Sequence, residues 1–92
     1  MAVQYLQKNR VNIVDAVLHD PETLFDSLVA KELLSRLEYQ EVCHGSTSAR
    51  IRKCLVIMEG KGDEYAQGFL KALYDYKELY PRVKSWLCQE MS

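Results

Sequence analysis

The sequence contains few prolines and glycines and no long apolar run, and each of these features excludes a class of protein. Its two prolines and four glycines are few for 92 residues, so collagen-like or loop-dominated structures are not expected. No apolar run approaches the roughly 18 residues that cross a bilayer. The N-terminal segment turns polar after six residues, which does not fit a signal peptide. We therefore expect a cytoplasmic protein that does not enter a membrane.

Motifs for catalysis or metal binding are also missing. Cys43, Cys54 and Cys88 form neither an even set nor a CxxC pair, so we expect reduced thiols. The sequence contains no HExxH, GxxxxGK[ST] or GxGxxG. Cys43 and His44 are adjacent, but neighbouring side chains on a helix do not face each other, and His19 falls in a predicted turn. The sequence thus indicates no enzyme, no cofactor, no metal ion and no small-molecule substrate.

Neither sign of charge is in excess, since the net charge is −1. A nucleic-acid-binding domain usually carries a positive excess, so a helical nucleic-acid reader is only a minor alternative. The charges are nevertheless segregated along the chain. Six acids and two bases lie between His19 and His44, whereas residues 1–18 and 46–62 carry six bases and two acids. Such a chain can attract copies or relatives of itself, because charge distribution governs association and steering.

Apolar residues recur at helical spacing along the whole chain. Six helices are predicted: over residues 3–18, from Pro21 to about Lys31, from Ser35, after the loop at residues 45–48, from Asp63, and from Pro81. Asp20-Pro21 starts the second helix, and Ser35 with Glu38 forms a capping box for the third. No period-two alternation or hairpin signal occurs. The sequence therefore predicts one all-α domain over residues 1–92, a six-helix bundle.

Two further expectations concern the helices themselves. The polar QKNR segment shifts the apolar stripe of the first helix, so we expect a bend or break between Lys8 and Arg10. The residues expected to face the core are Val3, Leu6, Ile13, Val14, Val17, Leu24, Phe25, Leu28, Val29, Leu37, Ile51, Cys54, Leu55, Met58, Tyr65, Ala66, Phe69, Leu70, Leu73, Val83, Trp86 and Leu87, with Val42 and Tyr76 as further candidates.

Several segments in this order resemble the caspase recruitment domain (CARD) of the death-fold superfamily. They are LQKNRVNIVDAV, LFDSLVAKELLS, EYQEV, ARIRKCLVIMEGKGDEYAQGFLKAL and YPRVKSWL, and the match covers nearly the whole chain, roughly residues 3–88. The most specific are the Asn9-Arg10 step in the first helix and the basic fourth helix that ends in Lys61-Gly62. The chain departs from the family in its apolar linker at residues 32–34, where related domains often carry a more polar turn.

The resemblance implies an antiparallel Greek-key bundle and a non-enzymatic adaptor. Such domains bind one another and nucleate helical oligomers in apoptotic and inflammatory signalling. The expected partner is another caspase recruitment domain, of the same or a different chain, with a helical homo-oligomer as one outcome. Pyrin and death-effector domains are the related alternatives, and the broken first helix disfavours both.

The resemblance also implies which residues bind the partner. In the family, basic residues of the first and fourth helices contact acids of the second and third. By position, Arg10 and Arg52 match the basic residues, with Arg50 and Lys53 as neighbours. Asp26 matches the acid of the second helix. Either Glu38 or Glu41 supplies the acid of the third helix.

Overall fold

The structure is a computed structural model that describes residues 2–84 and 87 of the chain. These residues contain no β-strand, and no helix among them is long and apolar enough to cross a membrane. The helices are α1 (Ala2–Lys8), α2 (Arg10–Val17), α3 (Pro21–Ala30), α4 (Arg36–Glu41), α5 (Thr47–Lys61) and α6 (Asp63–Asp75). Residues 81–84 and 87 are helical as well. The predicted all-α fold class is confirmed.

The predicted first helix is broken, as expected. α1 ends at Lys8 and α2 begins at Arg10, with Asn9 between them. The Asn9 side chain donates from Nδ2 to the Tyr5 carbonyl at 3.0 Å, and the Asn9 amide donates to the same carbonyl at 3.0 Å. Asparagine favours helix ends because its side chain competes for backbone hydrogen bonds in this way. α3, α4, α5 and α6 correspond to the second to fifth predicted helices.

The residues predicted to cap α3 and α4 form the expected hydrogen bonds. The Asp20 carboxylate accepts from the Thr23 amide at 3.3 Å and from the Thr23 hydroxyl at 2.8 Å, with Pro21 as the first helical residue. At α4 the Ser35 hydroxyl accepts from the Glu38 amide at 3.1 Å, and the Glu38 carboxylate accepts from the Ser35 amide at 2.9 Å. Each cap satisfies backbone donors that the helix leaves without a partner.

The boundary between α5 and α6 lies at Gly62. Asp63 is the first residue of α6, and Gly62 is the N-cap of that helix. Gly62 has φ +106°, a left-handed conformation that glycine adopts at little cost, so it ends α5 and begins α6. The Asp63 carboxylate is therefore available to another element. It accepts from the Val3 amide at 3.1 Å and so joins α6 to α1.

A single buried cluster draws side chains from all parts of the described chain. Its members are Ala2, Leu6, Ile13, Val14, Ala16, Val17, Leu24, Phe25, Leu28, Leu34, Val42, Ile51, Cys54, Leu55, Met58, Ala66, Phe69, Leu70, Ala72, Leu73, Tyr80, Val83 and Leu87. Most of the expected core is confirmed, with Val3, Val29 and Tyr76 only partly buried. Trp86 and Cys88 lie outside the described residues.

Two of the core expectations are wrong. Leu37 is 74% exposed and Tyr65 is 37% exposed. α4 has only six residues and buries none of them fully. Val42, the residue just after α4, is buried in the core. Leu37 lies on the opposite side of α4 and faces solvent.

The apolar linker at residues 32–34 contributes to the core, which explains why it is not a polar turn. Leu34 is 1% exposed. The Leu33 side chain packs against Gly68 of α6, where an added Cβ would come within 2.9 Å of Leu33 Cδ2. Glu32 turns the chain with φ +62°, a conformation uncommon for a residue other than glycine.

The segment after α6 is anchored by a buried tyrosine. Tyr80 is fully buried, and its hydroxyl donates to the Asp20 carbonyl at 2.5 Å. Burial raises the pKa of Tyr80 to about 12. The exposed His19 ring contacts Tyr80 edge to face and lies 3.1 Å from the Leu79 carbonyl. These contacts fix the chain's last described segment against the turn between α2 and α3.

A matched pair of leucines tests the assignment of the core. Leu73→Ala should lower the free energy of unfolding by about 2–5 kcal/mol, because it leaves a cavity beside fully buried neighbours. Leu37→Ala should change it by no more than about 0.5 kcal/mol, since that side chain is mostly in water. Urea unfolding followed by circular dichroism measures both. Equal losses in the two variants would contradict the position of α4.

Candidate protein-interaction surface

Arg10 begins α2 and reaches across to α5, on which α2 packs. Its Nη2 donates to both carboxylate oxygens of Glu59, at 2.9 and 2.8 Å. The Glu59 side chain is only 12% exposed, whereas that of Arg10 is 38% exposed. The Nε of Arg10 is buried and has no hydrogen-bond partner among the described residues. Arg10 is therefore partly engaged within the domain, and its charge is offset by Glu59.

Arg50 lies at the first turn of α5 on the side that faces α3 and α4. Its Nη2 donates to a Glu22 carboxylate oxygen, and its Nε donates to the Val42 carbonyl at 2.8 Å. The guanidinium also stands over the Phe25 ring, 5.4 Å from the centroid, which is a cation–π arrangement. Glu22 in turn accepts from the Tyr39 hydroxyl at 2.7 Å. Arg50 thus connects α5 with α3 and with Val42 at the end of α4, and two of its three nitrogens already donate within the domain.

This network changes the acid–base behaviour of its members. The hydrogen bond from Arg50, followed by that from Tyr39, lowers the pKa of Glu22 below its ordinary value. The same Glu22 contact raises the pKa of Arg50. The hydrogen bond to Glu22, together with burial, raises the pKa of Tyr39. The Glu22 carboxylate therefore stays charged to a lower pH in the folded domain than it would in the unfolded chain.

Arg52 and Lys53 are exposed on the outward side of α5. Lys53 donates to the His44 carbonyl at 2.9 Å. Arg52 makes no hydrogen bond or ion pair with any part of the chain that the structure describes. Both residues line a shallow groove together with Glu41, Val56 and Ile57. The structure therefore brings Glu41 beside the basic residues of α5 and leaves Arg52 accessible.

Glu38 is bound inside the domain. Lys61 of α5 donates to its carboxylate at 2.6 Å and also to the Leu33 carbonyl at 2.8 Å. Burial alone would raise the pKa of Glu38, but the hydrogen bonds from Lys61 and Ser35 outweigh it and lower that pKa. Glu38 and Glu41 therefore differ: the first caps α4 and pairs with α5, and the second is exposed.

Asp26 is exposed on α3 and makes no ion pair among the described residues. It lines a second groove, between α3 and α4, with Val29, Arg36, Tyr39, Gln40, Cys43 and His44. This groove holds neither Glu38 nor Glu41. The structure therefore places Asp26 in a different groove from Glu41, which lines the groove beside Arg52.

The predicted basic residues are divided as well. On a helix, residues 50 and 52 point about 200° apart, so Arg50 and Arg52 lie on different sides of α5. Glu59 follows Arg52 by seven residues and so lies on the same side of α5, about two turns or roughly 10 Å farther along the helix, where it binds Arg10. Sequence reasoning missed the internal acids Glu22 and Glu59, which are far along the chain from the arginines they bind. It also missed Val56, which is 56% exposed.

The ion pair of Arg50 and Glu22 predicts a dependence of stability on pH. Because the folded state lowers the pKa of Glu22 below its ordinary value of 4.5, the stabilising contribution of the ion pair is present above about pH 4.5 and is lost as the pH falls further. Glu22→Gln should therefore reduce the free energy of unfolding at pH 7, by about 1 kcal/mol or less since Glu22 is half exposed, and less at about pH 3.

Urea unfolding at the two pH values measures this difference, and Glu64→Gln serves as the control because Glu64 is exposed and makes no ion pair among the described residues. A Glu22→Gln effect that is equal at both pH values would argue against the ion pair.

The sequence of the chain is similar to that of known proteins. A sequence model of the caspase recruitment domain family matches residues 3–85. The chain is 28% identical over 72 residues to human caspase recruitment domain-containing protein 6, covering 77% of this chain and 7% of the relative. It is 27% identical over 88 residues to human nucleotide-binding oligomerization domain-containing protein 1, covering 95% of this chain and 9% of the relative. The chain thus spans less than a tenth of either relative. No solved structure matches it.

Proposed function

The chain belongs to the caspase recruitment domain family, and on that premise we propose that it is a non-enzymatic module that binds another caspase recruitment domain. We assign it to apoptotic or inflammatory signalling in the cytoplasm, as the family resemblance implies. The observation that carries the proposal is the position of Arg52. It matches a basic position of the family, it is exposed on α5, and it makes no ion pair with the described residues.

The binding residues of the proposal are fewer than the seven that the resemblance implies. Arg52 and Lys53 form the accessible basic surface, and Arg10 lies on the same side of α5, about two turns farther along the helix. Arg50 and Glu38 serve mainly the domain's own structure, since each is engaged in an internal ion pair. Asp26 is the accessible acid on α3, and we place it in a second, separate contact.

Energetics favour an assembly that depends on several weak contacts. An exposed ion pair contributes only about 0.2–1 kcal/mol, so Arg52 alone could not hold two domains together. Charges that are desolvated together give partner choice, register and faster encounter. Contacts that are weak singly become effective when many copies are concentrated, which suits a module that acts upon recruitment.

Charge reversal tests the proposal against a panel of caspase recruitment domains that includes those of the two relatives. Arg52→Glu should weaken binding to at least one domain by about tenfold or more at about 0.15 M salt, because a like charge then faces the partner's acids. Asp26→Lys should weaken binding to partners that present bases. Fluorescence anisotropy measures affinity, and circular dichroism should show unchanged helix content and melting temperature.

Lys71→Glu is the matched control, because Lys71 is an exposed base on α6, away from both grooves. It should leave binding unchanged. If no domain of the panel binds the wild type, or if Arg52→Glu binds like the wild type, the proposed function is wrong.

A further inference from the structure

Tyr39 belongs to the polar network that joins α4 to α3 and α5. Its hydroxyl donates to one Glu22 carboxylate oxygen at 2.7 Å, and the other oxygen of that carboxylate accepts from Arg50. The Tyr39 ring packs edge to face against Phe25, with 6.4 Å between the centroids. The network lies at the surface, since the Glu22 side chain is 48% exposed. The hydroxyl of Tyr39 is therefore next to a carboxylate–guanidinium pair that borders solvent.

The core holds α4, which carries Tyr39, less firmly than the other helices. α4 has six residues and buries none of them fully, whereas each of the other five helices buries at least two. Polar contacts hold it instead, namely the capping box of Ser35 with Glu38 and the ion pair of Glu38 with Lys61. A segment with few buried apolar contacts opens at a lower free-energy cost than the core. We therefore expect α4 to open without global unfolding.

The sequence around Tyr39 suits an enzyme that modifies tyrosine. Glu38 precedes it, and Glu41 follows two positions later. Kinases choose substrates partly by charge pattern, and acids beside the tyrosine are a pattern that many tyrosine kinases accept. Tyr65 also follows acids and is 37% exposed, but it belongs to α6, whose thirteen residues include five buried ones. Because a kinase binds its substrate as an extended segment, the short α4 presents its tyrosine more readily than α6.

We propose that Tyr39 is a phosphorylation site for a protein tyrosine kinase, and that its phosphate takes Arg50 from Glu22. The kinase transfers the γ-phosphoryl group of ATP to the tyrosine Oη. The bond from the γ-phosphorus to the bridging oxygen breaks, a bond from phosphorus to Oη forms, the hydroxyl proton is lost and ADP leaves. The product has no hydroxyl hydrogen to donate to Glu22. The phosphate also adds about 1.5–2 negative charges at pH 7, which repel the Glu22 carboxylate.

Arg50 stays in place when Glu22 leaves. Its Nε donates to the Val42 carbonyl at 2.8 Å, and its guanidinium stands over the Phe25 ring. Its side chain is only 17% exposed, so its charge is costly to leave without an anion, and a guanidinium binds phosphate well. Glu22 lies in the first turn of α3 and turns toward water. The phosphate and the released carboxylate then add negative charge to residues 21–41, which already carry five acids against two bases.

Phosphate mapping tests the site. The domain and a peptide of residues 34–44 are treated with MgATP and a set of purified tyrosine kinase domains, and mass spectrometry locates the phosphate. Tyr39→Phe should remove most of the phosphate that the domain incorporates, whereas Tyr65→Phe, the matched control, should change it little. Ser35→Ala removes the capping box and should speed the reaction of the domain about fivefold, because α4 then opens more often.

Urea unfolding of the domain with phosphotyrosine installed at position 39 during translation tests which cation receives the phosphate. Without phosphate, Glu22→Gln should lower the folding equilibrium constant by up to about fivefold. With phosphate, Glu22→Gln should leave that constant unchanged or raise it, because the carboxylate is then a repelling neighbour. Arg50→Gln should cost at least about threefold more with phosphate than without it. Arg36→Gln is the matched control: Arg36 lines the groove beside Tyr39, and its loss should cost the same in both forms.

Four outcomes would overturn the proposal. If neither the peptide nor the domain is modified, kinases do not recognise the flanking acids. If only the peptide is modified, α4 does not open. If Tyr39→Phe incorporates as much phosphate as the wild type, the site lies elsewhere. If the cost of Glu22→Gln persists with phosphate, or the added cost falls on Arg36→Gln, Arg50 does not receive the phosphate. None of these measurements uses a partner domain, so the proposed function stands or falls separately.

Discussion

The buried face of α5 is the constraint on which the arrangement of the domain's charged side chains depends. Ile51, Cys54, Leu55 and Met58 are almost wholly buried and fix the rotation of the helix about its axis. Once they are buried, every other side chain of α5 has its direction set by the helical repeat. Arg50 and Lys61 are directed toward α3 and α4, Glu59 toward α2, and Arg52, Lys53 and Val56 toward solvent. The apolar contacts of the core therefore decide which charges are available to a partner.

The charges of the domain divide into two groups with different consequences. Arg10, Arg50 and Lys61 each meet an acid from the same chain, and these pairs hold α2, α3 and α4 against α5. A partner could bind these three bases only by competing with the acid that each of them already pairs with inside the domain. Arg52 and Asp26 form no ion pair among the described residues, although Glu41 and Arg36 line the same grooves. Free energy gained by pairing them is therefore available only on association, which is the property expected of contact residues.

Much of the fold could be predicted from local signals. The break at Asn9 and the capping box at Ser35 both depend on residues within a few positions of each other. The misplacement of Leu37 has a different origin: a six-residue helix gives too short an apolar pattern to define its buried side. Tyr80 was missed because the group that its hydroxyl binds, the Asp20 carbonyl, lies 60 positions away along the chain. How the residues of the candidate site group together could not be predicted, because it depends on which helices pack side by side.

The sequence by itself determined the all-helical class, most helix boundaries and the core of α5, because each of these follows from spacing along the chain. The family was indicated by the resemblance of whole segments. Only the tertiary structure decided that Glu59 and Glu22 hold Arg10 and Arg50, that Glu41 lies beside Arg52, and that Asp26 lies beside Arg36. The physical reason is that an ion pair depends on distance in space, and these partners come from helices that only the packed core brings together.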